Sequence, residues 1–494
     1  MESRYDPELA WRVHGRRPDA DEPPRAHVET YGCQMNVHDS EVIRGVLAEI
    51  GYEKAGGPED ADLILVNTCC VRETAEKRIL GRIGELQGLK RRHPGLVIVV
   101  AGCMSQQEGA VERILRRASG VDIIMGTHNL YRLPDLIQEA AAARAGARPG
   151  PVVEVWTEAR GEVVEGLPVR RDPGVRAWVT IMYGCDSFCT YCIVPYVRGR
   201  ERSRLPEDIR REVEELALEG FKEVYLLGQN VNSYGRDLPA GPGRTFSGLL
   251  RELDRVEGVA RIRYTTSHPR NFTDDIIEAV AECERVCENF HLPAQSGSTR
   301  ILKRMNRGYT REDYLALVER IRRRVPGAAF STDLIVGFPG ETDADFEDTL
   351  SLVREVRFDS AFTFAYSPRR GTPAAEAPDQ VPPEVKKERL HRLIETQNEV
   401  SLARNRELVG CEVEVLVEGE AERRPGLAAG RSRTNKLVLF RPPEGVKPAD
   451  LVGREVVVRV EEAHTWSLEG RCVGDRDAGG PNAGRVRAEG RCPS

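Results

Sequence analysis

The chain has 494 residues, and its 72 Lys plus Arg against 78 Asp plus Glu give a formal net charge of −6. A hydrophobic fraction of 40% and a charged fraction of 30% exclude wholesale disorder, and apolar runs such as residues 96–100 are far shorter than the roughly 18 residues of a membrane span. The 12 cysteines are too sparse for a disulfide scaffold, and no apolar segment near the N-terminus predicts secretion. We therefore expect a cytoplasmic protein with no membrane partner, whose clustered cysteines serve metal binding or catalysis.

The first part of the chain predicts an α/β domain. Residues 1–24 are polar and proline-punctuated, and predict a flexible leader. Between residues 25 and 145, short apolar segments alternate with amphipathic ones, a pattern typical of a parallel sheet covered by helices. The predicted strands are residues 27–31, 63–66, 96–101 and 121–125, and the predicted helices are residues 40–50, 73–92, 106–118 and 133–143. Residues 141–151, rich in Ala, Gly, Arg and Pro, predict a linker.

A second alternating series lies between residues 171 and 402, where six strand–helix units predict a partial or complete parallel barrel. The predicted strands are residues 178–182, 223–227, 260–265, 289–292, 330–336 and 360–366, with helices that include 207–218 and a long charged helix at 384–408. Short strands at residues 412–417, 436–440 and 455–460 then predict a small all-β barrel over residues 403–472. The composition of residues 473–494 predicts a disordered tail.

Three cysteines follow the first strand of the second series at the spacing C-x3-C-x2-C: Cys185, Cys189 and Cys192. Three thiolates on one tight loop can hold three irons of a cubane cluster and leave the fourth iron open to a ligand. The alternatives are a zinc site or buried free thiols. Zinc normally takes four protein ligands, and residues 173–206 hold no fourth Cys and no His, so the spacing favours the cluster.

A second set of cysteines follows three strands of the first series: Cys33, Cys69 and Cys103. The carboxyl ends of parallel strands line one edge of a sheet, so three thiols distant in sequence can meet there. They could hold a second three-ligand cluster. The alternative is three unrelated buried cysteines, since free Cys packs as a small hydrophobe. Cys70, next to Cys69, is a rival ligand.

The net charge gives no indication of a nucleic-acid partner, but it averages over local basic stretches. Residues 423–441 contain no Asp or Glu, and hold Arg423, Arg424, Arg431, Arg433 and Lys436, which could contact RNA phosphates. A second basic run, at residues 198–204, follows the C-x3-C-x2-C motif. Phe440 and Trp466 could offer surfaces for base stacking or belong to a core. The alternative for any such run is a solvated surface.

The C-x3-C-x2-C motif after the first strand of a parallel barrel resembles the radical S-adenosylmethionine superfamily. That resemblance implies that the open iron binds S-adenosylmethionine, which is then cleaved to a 5′-deoxyadenosyl radical. Two strand ends, at residues 226–230 and 331–341, then become candidate contacts for S-adenosylmethionine, although ordinary turn chemistry is the alternative. The candidate residues there are Gln229, Asn230, Asp333, Gly337 and Glu341.

Both cysteine sets together resemble the methylthiotransferases, over about residues 25–470, with a C-terminal RNA-binding TRAM barrel. Residues 226–234, 291–298, 305–310 and 366–373 resemble the tRNA branch of that family. The resemblance implies two [4Fe-4S] clusters, with Cys69 rather than Cys70 as ligand because it directly follows Asn67–Thr68, and with the sulfur carried by the N-terminal cluster. It implies methylthiolation of C2 of N6-isopentenyladenosine at position 37 of tRNA, by a monomer that needs a sulfur source and a low-potential electron donor such as a flavodoxin or ferredoxin.

Two other activities within the resemblance stay open, because their enzymes share both cysteine sets: methylthiolation of N6-threonylcarbamoyladenosine in tRNA and modification of an aspartate in a ribosomal protein. A different class of protein, a non-catalytic iron–sulfur RNA-binding or redox-sensing protein, is also open. Five further cysteines have no partner motif and no assigned role: Cys283, Cys287, Cys411, Cys472 and Cys492. Cys283 and Cys287 have the i, i+4 spacing of a metal site on a predicted helix, but we favour packing as the explanation for this pair.

Overall fold

The computed structural model describes residues 4–70, 73–117, 120–147, 150–156 and 163–475. The chain divides into two compact units. The first comprises Met1–Asp172 with Tyr183–Asp186 and Cys192–Arg202, and the second comprises Pro173–Met182, Ser187–Tyr191 and Ser203–Ser494. Parts of the loop with the C-x3-C-x2-C motif thus group with the first unit, which the predicted boundary at residue 171 did not anticipate. No helix among the described residues is long and apolar enough to cross a membrane.

The first unit contains a parallel sheet covered by helices, as predicted. Its strands are β1 (Arg25–Thr30), β2 (Glu53–Lys54), β3 (Leu63–Thr68), β4 (Val97–Gly102), β5 (Ile123–Met125) and β6 (Val152–Glu154). Its helices are α1 (Leu9–Val13), α2 (Gln34–Glu49), α3 (Glu73–Arg92), α4 (Ala110–Arg117) and α5 (Leu133–Ala142), with a π-helical turn at Ala143–Ala147. The described strands have the order β2-β1-β3-β4-β5-β6, and all neighbours are parallel.

Apolar side chains on both faces of β3 and β4 place this sheet between two helical layers. Leu63 and Leu65 pack in one core with α1, α2 and α5, whereas Ile64 and Val66 pack in the other with α3 and α4. Alternate residues of a strand point to opposite faces, so a continuous apolar run is what a doubly covered strand requires. This arrangement confirms the prediction of an α/β domain here.

Residues 4–24 are not a flexible leader, which corrects that prediction. Leu9 and Ala10 of α1 are buried in the core beneath α2 and α5, and the Ala10 amide donates to the Ile50 carbonyl at 3.0 Å. Arg16 donates two hydrogen bonds, at 3.0 and 2.6 Å, to the Asp62 carboxylate. The segment is short and mostly polar, so its few buried side chains leave little periodicity in the sequence.

The second unit carries the six predicted parallel strands. The elements along the chain up to the C-terminal barrel are β7 (Arg176–Thr180), β8 (Met182–Tyr183), α6 (Val194–Arg198), β9 (Arg202–Ser203), α7 (Pro206–Leu218), β10 (Glu223–Leu227), α8 (Phe246–Leu253), β11 (Arg261–Tyr264), α9 (Asp274–Glu282), β12 (Asn289–His291), α10 (Thr299–Arg304), α11 (Arg311–Arg324), β13 (Ala329–Val336), α12 (Asp343–Val356), β14 (Ser360–Ala365) and α13 (Pro383–Arg406). Of these, α6 belongs to the first unit. The strands form two parallel three-stranded sheets, β11-β10-β7 and β12-β13-β14. A parallel bridge between Ile262 and Val286 extends the first sheet beyond β11.

Cys283 and Cys287 do not share a helix, which corrects the predicted spacing for a metal site. Helix α9 ends at Glu282, and Cys283 is its C-cap with extended backbone. The amide of Cys287 donates to the Ile262 carbonyl at 2.9 Å, and both cysteines are buried. Packing therefore accounts for these two thiols.

The C-terminal part of the second unit is a closed five-stranded barrel in the described residues, as predicted. Its strands are β15 (Glu412–Glu420), β16 (Ala428–Ser432), β17 (Leu437–Arg441), β18 (Glu455–Ala463) and β19 (Ser467–Asp475). Phe440 is fully buried in its core, so it cannot stack on a base, whereas Trp466 is 64% exposed. Strand β19 continues to Asp475, so the predicted tail does not begin at residue 473. Residues 476–494, including Cys492, lie outside the described part of the chain.

Buried ion pairs attach this small barrel to the rest of the second unit. Arg261 of β11 is fully buried and lies 2.6 Å from Glu455 of β18. Arg433, which follows β16, lies 2.9 Å from Glu288. Charges taken out of water cost several kcal/mol each unless a partner compensates them. The attachment is therefore specific, because other placements would leave these charges without compensation.

Replacement of Arg433 by Met should destabilise the protein strongly. The change removes the guanidinium from the buried Glu288 carboxylate, and breaking a buried pair in this way costs about 3–5 kcal/mol. Chemical denaturation would measure the loss as a lower free energy of unfolding. The exposed Arg423→Met is the matched control and should change it by less than about 0.5 kcal/mol. Equal effects of the two variants would contradict the assigned role of the Arg433–Glu288 pair.

Candidate metal centres

Neighbouring strands bring the N-terminal cysteines to one edge of the first sheet. Cys69 directly follows β3 and Cys103 directly follows β4, while Cys33 is the N-cap residue of α2 after β1. The last residues of β3 and β4 are paired in register, and the Cys103 amide donates to the Thr68 carbonyl at 3.0 Å. The three loops therefore start from adjacent positions, as the sequence predicted.

The buried side chain of Asn36 contacts all three cysteine loops. Its Nδ2 donates to the Tyr31 and Thr68 carbonyls, each at 2.9 Å. Its Oδ1 lies 3.8 Å from Cys33 Sγ and 3.9 Å from Cys103 Sγ. One amide thus fixes the chain before Cys33 and before Cys69, and brings two of the thiols to a common point.

Gly32 brings Cys69 close to the loop of Cys33. A Cβ atom at Gly32 would lie 2.6 Å from Cys69 Cβ and 2.9 Å from Cys69 Sγ, and the φ of Gly32 is +130°, which side chains rarely adopt. The donor set gathered here consists of thiols from Cys33, Cys69 and Cys103. Thiolates are the protein ligands of iron–sulfur clusters, so the residues present fit such a group with three protein ligands.

Cys70 brings a fourth thiol to the same region. It packs with Cys103 in a small apolar cluster that also contains Ile193 and Val197. A hydrogen bond from Cys70 and the nearby Arg198 guanidinium lower the pKa of Cys103 to about 6, although burial acts in the opposite direction. The preference for Cys69 over Cys70 as a ligand stays a prediction.

Arg198 is a site residue that the sequence analysis did not identify. It ends α6 and is buried, so it is not part of an RNA-facing basic run as predicted. Its Nε donates to Cys103 Sγ at 3.2 Å, and its Nη2 donates to Asn36 Oδ1 at 2.9 Å and to Asp39 Oδ2 at 2.6 Å. These partners are distant in sequence, and no local pattern indicated them.

The other arginines of that run also have partners within the chain. Arg200 lies 2.6 Å from the Asp186 carboxylate, and its side chain is largely exposed. Arg204 is buried and donates to the Thr180 carbonyl at 2.8 Å and to Glu212 at 2.7 Å. Arg198 and Arg204 are therefore withdrawn from a nucleic acid, whereas Arg200 faces solvent.

Residues 305–307 hold the segment around Cys189. Asn306 Nδ2 donates to the Phe188 carbonyl at 3.0 Å, and the Thr190 amide donates to the Met305 carbonyl at 3.1 Å. The φ of Phe188 is +44°, so these contacts hold a backbone conformation that a phenylalanine rarely adopts. Cys189 is buried, whereas Cys185 and Cys192 are partly exposed. Residues 305–310, which only the family resemblance indicated, thus include residues that support the segment around Cys189.

Arg307 donates directly to a cysteine of the C-x3-C-x2-C motif. Its Nη1 lies 3.3 Å from Cys189 Sγ, its Nη2 donates to the Pro293 carbonyl at 2.8 Å, and its Nε donates to the Tyr309 hydroxyl at 3.0 Å. The side chain is buried. Arg307 is the second site residue that the sequence analysis missed, although it lies within residues 305–310.

The predicted contacts for S-adenosylmethionine fall into two groups. In the described residues, Gln229 Oε1 is buried without a hydrogen-bond partner, which fits a polar ligand. Asn230 is buried and donates to Ser233 at 2.6 Å. In contrast, Glu341 Oε1 accepts from the Gly337 amide at 2.7 Å and from Arg389 at 2.8 Å. Among the described residues, however, Glu341 Oε2 is also buried without a hydrogen-bond partner, so the role of Gly337 and Glu341 stays a prediction.

Asp333 lies on an inner face of the second unit, which we define as His291, Ser331, Asp333 and Phe362. Neighbouring residues Phe290, Phe330, Leu334 and Ala361 pack in the main core, so these four side chains point to the opposite face of the sheet. His291 Nε2 lies 3.6 Å from Asp333 Oδ1. The Phe362 ring is 6.2 Å from the His291 ring and is 57% exposed. The inner face thus presents an aromatic surface beside an acidic group.

Arg433 and Lys436 are not available to RNA phosphates, which corrects that prediction. Arg433 is buried against Glu288, and Lys436 Nζ lies 2.6 Å from Asp359 and 2.8 Å from Asn405 Oδ1. Both residues belong to the attachment of the small barrel. Arg423, Arg424 and Arg431 are at least partly exposed. Arg424 is paired with Glu469, and Arg431 lies 3.8 Å from Glu418.

Comparison with known proteins supports this division of the chain. Residues 179–353 match the model of the Radical SAM superfamily, residues 25–126 match "Uncharacterized protein family UPF0004", and residues 406–473 match the TRAM domain. A protein of Carboxydothermus hydrogenoformans named tRNA-2-methylthio-N(6)-dimethylallyladenosine synthase is 55% identical over 90% of this chain and 99% of its own length. A protein of the same name from Pelotomaculum thermopropionicum is 56% identical over 89% of this chain and 96% of its own length. One from Moorella thermoacetica is also 56% identical, over 90% of this chain and 97% of its own length.

Solved structures share the fold at low sequence identity. The radical S-adenosylmethionine methyltransferase TsrM from Kitasatospora setae, with cobalamin and a [4Fe-4S] cluster bound, superimposes with a TM-score of 0.53 and 18% identity over 71% of this chain and 76% of that chain. The same enzyme with tryptophan and a SAM analogue gives a TM-score of 0.54 and 16% identity, over 77% of this chain and 89% of that chain. At this identity the likeness concerns the fold.

Replacement of Gly32 by Ala should prevent cluster assembly at the N-terminal cysteines. The added Cβ would clash with the Cys69 side chain at a φ that alanine disfavours. If both cysteine sets hold four-iron clusters, iron and sulfide per chain should fall by about half after anaerobic reconstitution of the full chain. Gly81→Ala, on the exposed face of α3 with no atom within 4 Å, is the control and should leave iron unchanged. Full iron in the Gly32 variant would contradict the site.

Proposed function

The chain belongs to the tRNA-2-methylthio-N(6)-dimethylallyladenosine synthase family, and we propose that it replaces the C2 hydrogen of N6-isopentenyladenosine at position 37 of tRNA with a methylthio group. Its Radical SAM region implies S-adenosylmethionine and one [4Fe-4S] cluster, at Cys185, Cys189 and Cys192. The observation that carries the proposal is the second thiol site around Asn36. We assign a second [4Fe-4S] cluster to Cys33, Cys69 and Cys103 there.

The residues of this chain divide the work of the reaction. When bound, S-adenosylmethionine and the clusters supply the carbon radical, the methyl group and the sulfur atom. Asn36 holds the loops of the N-terminal cysteines, and Met305 and Asn306 hold the segment around Cys189. We assign cluster binding to residues 25–145, radical chemistry to residues 171–402 and RNA binding to residues 403–472. Gln229, Asn230 and Asp333 are the side chains we place against S-adenosylmethionine.

The inner face favours an isopentenyl group over a threonylcarbamoyl group as the substituent of the target adenosine. The exposed ring of Phe362 offers an apolar surface, which suits a branched hydrocarbon. A threonylcarbamoyl group carries a carboxylate, and the neighbouring Asp333 would repel it. Phe362 is therefore the residue we expect to contact the isopentenyl group.

The proposed partners follow from the same chemistry. The substrate is tRNA, and the exposed Arg423, Arg424 and Arg431 of the small barrel are the residues we place near its phosphates. Reductive cleavage of S-adenosylmethionine needs a low-potential electron donor such as a flavodoxin or ferredoxin, and repeated turnover needs an external sulfur source. We propose a monomer that works in the cytoplasm, where its tRNA substrate is found.

Mass spectrometry of tRNA nucleosides from a strain lacking this protein tests the function. The strain should accumulate N6-isopentenyladenosine without the methylthio group, and the intact gene should restore the product. A normal level of methylthiolated isopentenyladenosine in the deletion strain would overturn the proposal. Loss of methylthiolated threonylcarbamoyladenosine instead would favour the other tRNA substrate.

Cysteine variants in the same strain separate the two sites. Cys189→Ala should abolish formation of both 5′-deoxyadenosine and the product, whereas Cys69→Ala should keep 5′-deoxyadenosine formation and lose the product. Cys472→Ala, in the small barrel, is the control and should behave as the parent protein. Normal methylthiolation by Cys69→Ala together with its loss in Cys70→Ala would move the ligand role to Cys70. Absence of 5′-deoxyadenosine from the reconstituted parent protein would favour a non-catalytic iron–sulfur protein.

Replacement of Phe362 by Ala should weaken productive binding of the isopentenyl group. Full burial of a phenylalanine-sized surface contributes about 1.5–3 kcal/mol, so kcat/KM for isopentenylated tRNA should fall by roughly 10- to 150-fold. Formation of 5′-deoxyadenosine without tRNA should be unaffected. The control is Leu218→Ala, since Leu218 is 90% exposed at the end of α7. An unchanged kcat/KM would show that Phe362 does not contact the substrate.

A further inference from the structure

Arg307 is a buried cation whose partners are mostly neutral. In the part of the chain that the structure describes, its guanidinium contacts Cys189 Sγ, the Tyr309 and Tyr191 hydroxyls and the Pro293 carbonyl, and no carboxylate lies within ion-pair distance. A phenol and a carbonyl carry no charge near neutral pH, whereas a sulfur that ligates iron is a thiolate. Burial of an uncompensated guanidinium costs several kcal/mol, so the negative charge at Cys189 is what compensates it.

Arg198 makes the corresponding contact at the other cysteine site, but with a carboxylate beside it. Its Nε donates to Cys103 Sγ at 3.2 Å while Asp39, itself buried, lies 2.6 Å from its Nη2. The positive charge next to Cys103 is therefore largely balanced before any cluster is present. At both sites a guanidinium donates to one cysteine sulfur. The sites differ in the net positive charge beside that sulfur, because Asp39 offsets the charge of Arg198.

From this difference, and on the premise that both cysteine sets hold clusters, we propose that Arg307 and Arg198 are positioning residues that set the reduction potentials of the two sites independently. A cluster gains negative charge on reduction, so a nearby positive charge stabilises the reduced form and raises the potential. Arg307 exerts its full charge on the radical site. Arg198 exerts a charge that Asp39 offsets on the N-terminal site. Arginine serves both because its charge does not titrate and its fork fixes several partners at once.

Redox titration followed by electron paramagnetic resonance tests each site in turn. Full-length protein with Cys33, Cys69 and Cys103 replaced by Ala isolates the radical site, and the matching replacement of Cys185, Cys189 and Cys192 isolates the N-terminal site. In the first background, Arg307→Gln should lower the equilibrium constant for reduction by about tenfold or more, which is 59 mV for a one-electron couple. In the second background, the double variant Arg198→Gln/Asp39→Asn, which removes both charges of the pair, should shift it by less.

Two further variants keep the test independent of cluster loss. Arg307→Lys keeps the charge and should retain most of the parent potential. Asp39→Asn removes the balancing carboxylate and should raise the potential of the N-terminal site alone. Iron content is measured throughout, and the exposed Arg255→Gln is the control. If the arginines were only structural, the Gln variants would lose iron while the remaining clusters kept the parent midpoint.

The outcomes separate this inference from the proposed function. Unchanged midpoints in Arg307→Gln and Asp39→Asn overturn the inference, even if the parent protein methylthiolates tRNA. If the midpoints shift in these variants but the parent protein makes no methylthiolated nucleoside, the inference is supported and the proposed function is overturned. Equal shifts in Arg307→Gln and in the double variant Arg198→Gln/Asp39→Asn contradict the assigned role of Asp39.

Discussion

A guanidinium that leaves water needs negative charge or good hydrogen-bond acceptors around it, and this requirement shapes the whole chain. Arg261 and Arg433 meet it with Glu455 and Glu288, and in doing so fix the small barrel on the second unit. Arg198 meets it with Asp39, and Arg307 meets it at a cysteine sulfur. Attachment of a domain and contact with a candidate ligand sulfur are thus two uses of the same interaction.

The thiol sites depend on small residues and amides as much as on cysteines. At the N-terminal site, Gly32 allows two loops to approach, and Asn36 satisfies carbonyls in both. Without such partners, the buried carbonyls at the strand ends would cost free energy and the loops would spread. The loops of these cysteines are therefore held together by contacts within the chain itself.

The sequence was informative where one strong local signal decided the structure. Continuous apolar runs predicted β3 and β4, and the C-x3-C-x2-C spacing predicted the region that matches the Radical SAM superfamily. It was uninformative for α1, β2 and β6, which are too short to show periodicity. Charge counting also failed for Arg433 and Lys436, because a basic stretch looks the same whether its side chains face solvent or a buried carboxylate. The contacts of Arg198 and Arg307 join residues far apart in the chain, and only the fold reveals them.

The attachment of the small barrel fixes the distance between its surface and the inner face. A domain on a flexible linker lets RNA contacts search many distances, whereas a barrel held by Arg261, Arg433 and Lys436 keeps its surface at a set separation from the strands that carry His291 and Phe362. Under the proposed function, an RNA backbone on the barrel would therefore lie at a distance from the inner face that the protein sets, not a linker.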